Sequence, residues 1–393
     1  MDEITLQSIA EAFGTPLYAF DTDEFAARAT RVQQALIGVP LCYSMKANPF
    51  LLAELPDTFR WVEVCSPGEL RICERLGLAP QRILYSGVNK GEEDIERAIC
   101  DGVGLLTAES PLHLERIHRC AAQHNRVVNV LLRLTAGSQF GMDEPVLTEL
   151  IARRAQYPAV RITGIHFFSG TQKRKASLIR DELSQLDAYL QRLQDELGFT
   201  AHQVEYGPGL AAEYFRAPYE ERELKLLDDC APFLRDFAQR YPLCVEMGRF
   251  FAAPCGVYLT RAVDAKCNRS VSYIICDGGM HQLRYDGQTM GMQAPPITVL
   301  GAQTRELLPQ TLCGSLCTTA DVLVRQAALP KIRIGDVIAF ARCGAYSVME
   351  GPAAFLSRET PRVVLRTGGT CRLARDFFYT DALNTCREPL VWR

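Results

Sequence analysis

This sequence of 393 residues contains no long apolar run and no excess of charge of one sign. No stretch approaches the roughly 18 apolar residues of a membrane span, and the N-terminus is acidic where a secretory signal is basic. We therefore expect a cytoplasmic protein. Lysine plus arginine number 43 against 46 aspartate plus glutamate, a balance that indicates neither a nucleic-acid surface nor a membrane surface. The default partner is a small molecule.

Paired cysteine motifs are also missing. The fifteen cysteines form no CxxC pair of the kind that indicates zinc. We expect most of them to be reduced, buried small residues. The chain has no internal repeat and no low-complexity linker, and its 48% hydrophobic and 23% charged residues are typical of a globular protein with two domains.

Short apolar runs alternate with longer amphipathic stretches between residues 25 and 245. The runs are LCYSMKAN, WVEVCS, ILYSGV, GVGLLTA, VVNVLLRLT, ITGIHFFSG, QVEYGPG and LCVEMG. Eight strand and helix units predict a (β/α)8 TIM barrel. Short strands and turns follow, so residues 246–393 are predicted to form a mainly β domain, to which residues 1–24 contribute through the strand-like segment TPLYAFD.

Polar or glycine residues follow several of the predicted barrel strands. In a barrel, the C-terminal ends of the strands build the active site. The residues at these ends are Lys46, Ser66, Asn89, Arg133, His166, Gly207 and Glu246. We therefore expect them to converge on one site.

Lys46 ends the first barrel strand in the segment YSMKANPF. Partial burial there favours a neutral amine that can react with an aldehyde, although most lysines are simply solvated. The pattern Y-x-x-K-A-N resembles the lysine motif of the fold-type III pyridoxal-phosphate enzymes, the superfamily of alanine racemase and of the ornithine and diaminopimelate decarboxylases. Further motifs follow the decarboxylase branch in order. The resemblance implies an alanine racemase-like barrel, a C-terminal β domain and pyridoxal 5'-phosphate bound by Lys46.

Two segments resemble the parts of the family that surround the cofactor ring. EVCSPGEL resembles D-x-x-S-x-G-E-L, with Glu63 in place of the usual aspartate and with Ser66 retained. GIHFFSGTQ resembles H-x-H-x-G-S-Q, with His166 retained and Phe168 in place of the second histidine. An aromatic ring at 168 can still stack on the cofactor.

Two more segments resemble the phosphate-binding parts of the family. EYGPGL supplies Gly207 and Gly209 of the glycine loop, where backbone N–H groups approach an anion. VEMGRF resembles E-P-G-R, which implies that Glu246 faces the pyridine nitrogen and that Gly248 and Arg249 contact the phosphate. The racemases have an arginine at the position of Glu246, so this residue favours a decarboxylase.

Three segments of the second domain resemble the decarboxylases as well: CDGGMHQLRY, GSLCTTAD and CGAYSVM. The resemblance implies that Arg284, with Arg133 of the barrel, binds the substrate and that Tyr346 binds the phosphate. It also implies that Cys317 protonates the substrate carbon at the site of the partner subunit. We therefore expect a head-to-tail homodimer with shared active sites.

Thr318 follows Cys317, where the diaminopimelate and ornithine enzymes have an acid that recognises the distal amino group. Without that acid, a free diamino acid loses a charge-assisted hydrogen bond of about 1.5–3 kcal/mol. The chain resembles a branch from natural-product pathways. That branch includes butirosin-type enzymes, which decarboxylate a glutamyl group on an acyl-carrier protein. We therefore expect a substrate that is an amino acid or a derivative, carrier-bound or a biosynthetic intermediate.

The sequence leaves three alternative functions open. One is a decarboxylase of free diaminopimelate, ornithine or lysine, in which another acid compensates for Thr318. Another is an amino-acid racemase of the same fold, against which Glu246 and Cys317 argue. The third is a non-catalytic regulator that binds pyridoxal phosphate, against which the retention of Lys46, Glu246, Cys317 and Tyr346 argues.

Overall fold

The computed structural model of the chain describes residues 1–286 and 291–386. Its strands are β1 (Leu17–Asp21), β2 (Leu41–Ser44), β3 (Phe59–Val64), β4 (Ile83–Tyr85), β5 (Leu105–Ala108), β6 (Val128–Leu134), β7 (Val160–Phe168), β8 (Gln203–Gly207), β9 (Leu243–Met247), β10 (Gly256–Asn268), β11 (Val271–Cys276), β12 (Ile297–Val299), β13 (Leu307–Cys313), β14 (Val322–Pro330), β15 (Val337–Ala341), β16 (Arg362–Thr367) and β17 (Thr370–Arg375). Its α-helices are α1 (Glu3–Phe13), α2 (Thr22–Ala35), α3 (Pro67–Arg75), α4 (Glu92–Asp101), α5 (Pro111–Gln123), α6 (Glu144–Ala152), α7 (Ala176–Leu197), α8 (Tyr219–Arg240), α9 (Arg249–Ala252) and α10 (Asp381–Asn384). These elements belong to two compact units.

The first unit is a barrel made of Ala26–Glu213 and Pro218–Phe251. Strands β2 to β9 are parallel and close on themselves, so the predicted TIM barrel is confirmed. An α-helix follows each strand from β3 to β8, and a 3-10 helix, Pro49–Glu54, follows β2. Strands β2, β5 and β9 are buried along their whole length, as expected for parallel strands that are covered on both faces.

Local sequence sets where the barrel helices begin and end. Ser66 and Ser110 each cap a helix by accepting a hydrogen bond from a backbone N–H of its first turn, and proline follows each serine at the first helical position. Gly102 and Gly198 end α4 and α7 in the left-handed conformation. Because each helix begins just after a barrel strand, these serine caps also fix the loops at the barrel mouth.

The second unit, made of Met1–Phe25, Tyr214–Ala217 and Ala252–Arg393, is rich in β-strands. Its sheet has the order β14-β13-β11-β10-β1-β16-β17, and β15 pairs with β10 and β12. Strand β1 is antiparallel to β10 and parallel to β16, so the expectation that TPLYAFD adds a strand here is confirmed. The division between the units follows Phe251, whereas the sequence places it at 245, because β9 completes the barrel.

All fifteen cysteines are free, and eight of them are buried. No helix within residues 1–286 and 291–386 is long and apolar enough to cross a membrane.

The packing of β7 against β8 gives a prediction for stability. A Cβ at Gly164 would lie 1.7 Å from the carbonyl oxygen of Gln203 on the neighbouring strand. We expect Gly164→Ala to lower the free energy of unfolding by about 1–3 kcal/mol, because β7 and β8 must separate locally. Urea denaturation measures the change.

Gly68→Ala is the matched control. A Cβ there would lie 3.6 Å from the Ser66 hydroxyl and 3.9 Å from Nη2 of Arg71, both ordinary contact distances. In a helix such as α3, alanine is more favourable than glycine by about 0.5–1 kcal/mol. We expect this variant to be as stable as the wild type or slightly more stable. Equal stability of the two alanine variants would contradict the close approach of β7 and β8.

Candidate active site

Lys46 lies in a 3-10 turn, Met45–Ala47, directly after β2. Its Nζ donates a hydrogen bond to Oε2 of Glu63 and lies 4.0 Å from Oε1 of Glu246. The lysine side chain is 38% exposed, whereas the two carboxylates are 2% and 6% exposed. The amine is therefore held at the mouth of the barrel by two carboxylates that come from inside it.

Glu63 accepts hydrogen bonds at both of its oxygens. Oε1 accepts from the Ser86 hydroxyl and, at 3.1 Å, from the Cys65 thiol, while Oε2 accepts from Lys46. Burial alone raises the pKa of Glu63, but the charges of Lys46 and His166 and the donated hydrogen bonds outweigh it, so that the pKa lies below its ordinary value. Burial raises the pKa of Cys65, which keeps this thiol able to donate.

Glu246 on β9 and His166 on β7 lie side by side in the barrel. The Ser44 hydroxyl donates to Oε1 of Glu246 at 3.1 Å. Nε2 of His166 is 3.2 Å from Oε2 of Glu246, but the pair lacks hydrogen-bond geometry. Within the described residues, both ring nitrogens of His166 and Oε2 of Glu246 therefore have no hydrogen-bond partner. An unsatisfied buried polar group costs about 1–3 kcal/mol, so this position suits a polar ligand.

Glycines at the end of β8 allow a close approach of the loop that follows β7. A Cβ at Gly207 would lie 2.6 Å from a ring carbon of Phe168, the last residue of β7. Gly209 has a φ of +62°, and a Cβ there would lie 2.0 Å from the carbonyl oxygen of Gly170. A side chain would be crowded at either position, so the backbone at Gly207 and Gly209, on both sides of Pro208, carries no side chain that would keep an anion away.

A similar close approach occurs where β9 ends. A Cβ at Gly248 would lie 2.7 Å from the carbonyl oxygen of Ser44, and Arg249 begins α9 directly afterwards. Ser66 accepts a hydrogen bond from the backbone N–H of Glu69, at 3.2 Å, as the cap of α3. Ser66 therefore has a structural role whether or not it also contacts a ligand.

Arg133, at the end of β6, belongs to a cluster of side chains that is separate from the Lys46 site. Its Nη1 donates to Oε1 of Glu109 at 2.6 Å, and its guanidinium carbon lies 4.8 Å from the centre of the Phe140 ring. The other oxygen of Glu109 accepts from the backbone N–H of Gly141 at 3.0 Å. Arg133 is thus buried and fixed, and no contact joins it directly to Lys46 among the hydrogen bonds of the described residues.

In the β-rich unit, the structure connects the segments that carry Arg284 and Tyr346. The Ser347 hydroxyl donates to the backbone carbonyl of Arg284. Nε of Arg284 is buried without a hydrogen-bond partner in the described part of the chain. Tyr346 adopts a positive φ of 66°, a conformation that is costly for a bulky residue and is found mainly where function requires it.

Cys317 and Thr318 are exposed in the loop between β13 and β14. Asp321, which is 2% exposed, anchors this loop. Its carboxylate accepts from the backbone N–H groups of Met280, at 2.7 Å, and of Leu316, at 2.8 Å. A Cβ at Gly314 would lie 2.3 Å from this carboxylate, which explains why the pattern requires both a glycine and an aspartate around the cysteine.

The structure therefore brings Lys46, Glu63, His166 and Glu246 together and places Phe168 against Gly207. Sequence reasoning missed the groups that hold these residues in place. Ser44, Cys65, Ser86 and Glu205 are the missed residues. Glu205 lies two positions before Gly207 on β8, so strand alternation places the two on the same face and could have identified Glu205. Ser44 is the last residue of β2, directly before the turn that carries Lys46.

These residues fit pyridoxal phosphate. The amine of Lys46 lies beside two carboxylates, and Oε2 of Glu246 accepts no hydrogen bond from the residues that the structure describes. The backbones of Gly207, Gly209 and Gly248 leave room for a phosphate. Lys46 would bind the aldehyde and Glu246 the ring nitrogen.

Comparisons with known proteins agree with this fit. A family model described as "Pyridoxal-dependent decarboxylase, pyridoxal binding domain" matches residues 22–253. The chain is 27% identical to the L-glutamyl-[BtrI acyl-carrier protein] decarboxylase of Niallia circulans, over 95% of this chain and 94% of that protein. It is 24% identical to the diaminopimelate decarboxylase of Aquifex aeolicus, over 95% and 92% of the two chains.

Solved structures show the same fold. The crystal structure of diaminopimelate decarboxylase from M. jannaschii has a TM-score of 0.87 to this chain, with 23% identity and with 97% of this chain and 94% of that chain covered. At this sequence identity, the structural similarity establishes only the fold, a (β/α)8 barrel with a separate β domain.

The pair of Lys46 and Glu63 gives a second prediction. Lys46→Met leaves a buried carboxylate without its cation, so we expect the cofactor-free protein to lose about 1–3 kcal/mol of stability at pH 7, less than a fully buried pair would lose. The pKa of Glu63 in the folded chain lies below the ordinary 4.5. The stabilisation by the Lys46–Glu63 ion pair is therefore fully present above pH 4.5 and declines as the pH falls below that value. Urea unfolding measures both effects.

The double variant Lys46→Met with Glu63→Gln should lose less than the sum of the single changes, since no isolated charge remains. Lys225→Met is the control, because its pair with Asp229 is 74% and 49% exposed and should contribute below about 0.5 kcal/mol. Strict additivity of the Lys46 and Glu63 changes would refute the interaction.

Proposed function

The chain belongs to the pyridoxal-dependent decarboxylases, since the family model covers more than half of it, and from this premise we propose that its substrate is an aminoacyl group attached to a carrier. The protein is a carboxy-lyase that acts with pyridoxal 5'-phosphate on an amino acid or an amino-acid derivative. The observation that carries the proposal is the neutral, exposed Thr318 directly after Cys317.

The barrel residues have distinct proposed roles. When bound, pyridoxal phosphate supplies an electron sink for the negative charge that develops at the substrate α-carbon. Lys46 holds the cofactor and later delivers or accepts a proton with its amine. Glu63 orients that amine through their hydrogen bond. Glu246 keeps a proton at the ring nitrogen, and Ser44 fixes the carboxylate for this task.

Other residues position the rest of the cofactor in this proposal. Phe168 packs an aromatic face against the ring, and His166 on β7 lies 3.2 Å from Glu246 on β9, close enough to border the same part of the cofactor. The phosphate is bound by backbone and side-chain donors. These donors come from Ser66, Gly207, Gly209, Gly248, Arg249 and Tyr346.

Cys317 of the partner subunit is the proposed acid that protonates the α-carbon after carbon dioxide leaves. An exposed thiol on a loop anchored by Asp321 supports this role, because the donor must reach outward and still be held in place. Arg284, whose Nε has no hydrogen-bond partner in the described residues, is proposed to bind the substrate together with Arg133. These roles require a homodimer with shared sites.

The distal end of the substrate decides between the candidates. A free diamino acid has a distal ammonium that needs a carboxylate, and Thr318 cannot supply one. A glutamyl group joined to a carrier through its distal carbonyl is neutral there and needs no such partner. The relative from Niallia circulans is named for a glutamyl group on an acyl-carrier protein, which supports this choice. We further propose that the protein acts in natural-product biosynthesis, in the cytoplasm. The diaminopimelate decarboxylase of Aquifex aeolicus supports the rival.

Carbon dioxide release tests the substrate. We expect kcat/KM for a carrier-bound glutamyl group to exceed that for free glutamate, ornithine, lysine or diaminopimelate. Thr318→Glu restores an acid at this position and should raise kcat/KM for the free diamino acids by about tenfold or more, the value of one charge-assisted hydrogen bond. Thr319→Glu places the same charge one residue further along the exposed loop and should not do so. Faster turnover of a free diamino acid by the wild type would overturn the proposal.

Mixed subunits test the shared site. Lys46→Ala and Cys317→Ala should each be nearly inactive alone. When they are unfolded together and reassembled in equal amounts, half of the dimers are mixed and have one intact site of two, so about a quarter of wild-type activity should return. Lys46→Ala mixed with the double variant Lys46→Ala with Cys317→Ala is the control and regains nothing. No recovery in verified heterodimers would exclude a donor from the partner.

A further inference from the structure

Glu205 lies inside the barrel, in the middle of β8, and has no role in the function proposed above. It is 0% exposed. Its Oε2 accepts a hydrogen bond from the Gln203 amide at 2.9 Å, whereas Oε1 has no partner in the described part of the chain. The Cys42 and Cys244 thiols also interact with this carboxyl group as neutral hydrogen-bond donors. A buried carboxylate with only neutral donors is costly, and a carboxyl group in this position lowers the cost by keeping its proton.

The groups around Glu205 add no fixed positive charge. They are Gln203 on its own strand, Cys244 and Glu246 on β9, Cys42 on β2 and, in register on β7, His166. Burial keeps the pKa of both thiols well above its ordinary value, so they are neutral. Of these side chains, only His166 can become a cation.

Glu246 and Glu205 therefore differ in what surrounds them. Glu246 accepts from Ser44 and lies 4.0 Å from the Lys46 amine. Glu205 accepts only from neutral groups, namely the Gln203 amide and the Cys42 and Cys244 thiols, and no lysine or arginine pairs with it in the described part of the chain. Burial, followed by the charge of Glu246, raises the pKa of Glu205 to about 8. Two neighbouring carboxyl groups with unequal surroundings share one proton, and the less well-solvated group holds it.

We propose that Glu205 is a positioning residue that carries a proton at neutral pH and so leaves Glu246 as the single negative charge for the ring nitrogen of the cofactor. The inference rests on the proposed role of Glu246. When Glu205 loses its proton in alkaline solution, a second negative charge appears beside Glu246. Nearby groups, including the cofactor, then keep their protons to higher pH than they otherwise would.

The same proton affects stability. The ordinary pKa of a glutamate, which applies to the unfolded chain, is 4.5, whereas the pKa of Glu205 in the folded chain is about 8. Between these two pH values the folded chain therefore binds one proton more than the unfolded chain. Stability therefore falls as the pH rises through this window. The isosteric Glu205→Gln has no proton to lose, so it escapes this fall.

Infrared difference spectroscopy of the holoenzyme between pH 6 and pH 9 tests where the proton lies. The wild type and the control Glu149→Gln, which changes a side chain that is 63% exposed, should both lose the C=O band of a protonated carboxyl group at the higher pH. Glu205→Gln should lack this band. If the band persists in Glu205→Gln and disappears in Glu246→Gln, the proton is on Glu246 and the inference is overturned. Glu205→Met, also neutral, replaces Glu205→Gln if that variant does not fold.

Two further measurements test the consequences. The thermal midpoint of wild type relative to Glu205→Gln should fall from pH 6 to pH 9. The alkaline transition of the cofactor absorbance should shift by about one pH unit to lower pH in Glu205→Gln, since the second charge is gone. An unchanged transition overturns the link to Glu246. None of these measurements uses a substrate, so they stand or fall independently of the carrier-bound glutamyl assignment.

Discussion

A carboxylate buried as deeply as that of Glu63 is stable only when a cation and several donors surround it. The barrel supplies them from the ends of three successive strands: Lys46 after β2, Cys65 after β3 and Ser86 after β4. Each must reach the same two oxygens, so the register of β2, β3 and β4 cannot slip without breaking the cluster. The position of the reactive amine is therefore a consequence of how the barrel closes.

The barrel and the main site residues could be predicted from the sequence because both depend on local patterns. Parallel strands covered on both faces appear as continuous apolar runs, and Lys46, His166 and Glu246 lie at or near the carboxyl ends of such runs. The resemblance to the family singles these three residues out, and the structure brings them together. The sequence predicts a boundary at residue 245, where the pattern of elements changes, and the compact barrel unit of the structure extends to Phe251.

The partners of these residues could not be predicted, because they depend on register between strands that are distant in sequence. Nothing near Arg133 in sequence indicates Glu109 as its ion partner, and nothing near Glu246 indicates the hydroxyl of Ser44, about two hundred residues earlier. Strand alternation does place Glu205 on the inner face with Gly207, but only the closed barrel shows that Glu205 lies beside a second carboxyl group. A sequence motif therefore identifies the functional residues, whereas the register of the barrel strands determines which neighbours set their protonation states.

The cofactor site and the substrate site of this protein differ in how strongly the fold constrains their residues. The residues assigned to the cofactor ring lie at the ends of buried strands, where neighbours on both sides restrict every side chain. Thr318, which we assign to the distal end of the substrate, lies on an exposed loop whose shape is set by the Asp321 carboxylate and by Gly314. The Thr318 hydroxyl accepts one hydrogen bond within the loop, from the backbone N–H of Ala320 at 3.3 Å, whereas the anchoring contacts are made by the Asp321 carboxylate. A change at residue 318 therefore leaves the anchor of the loop in place. Substrate preference can therefore change while the barrel and its chemistry stay the same.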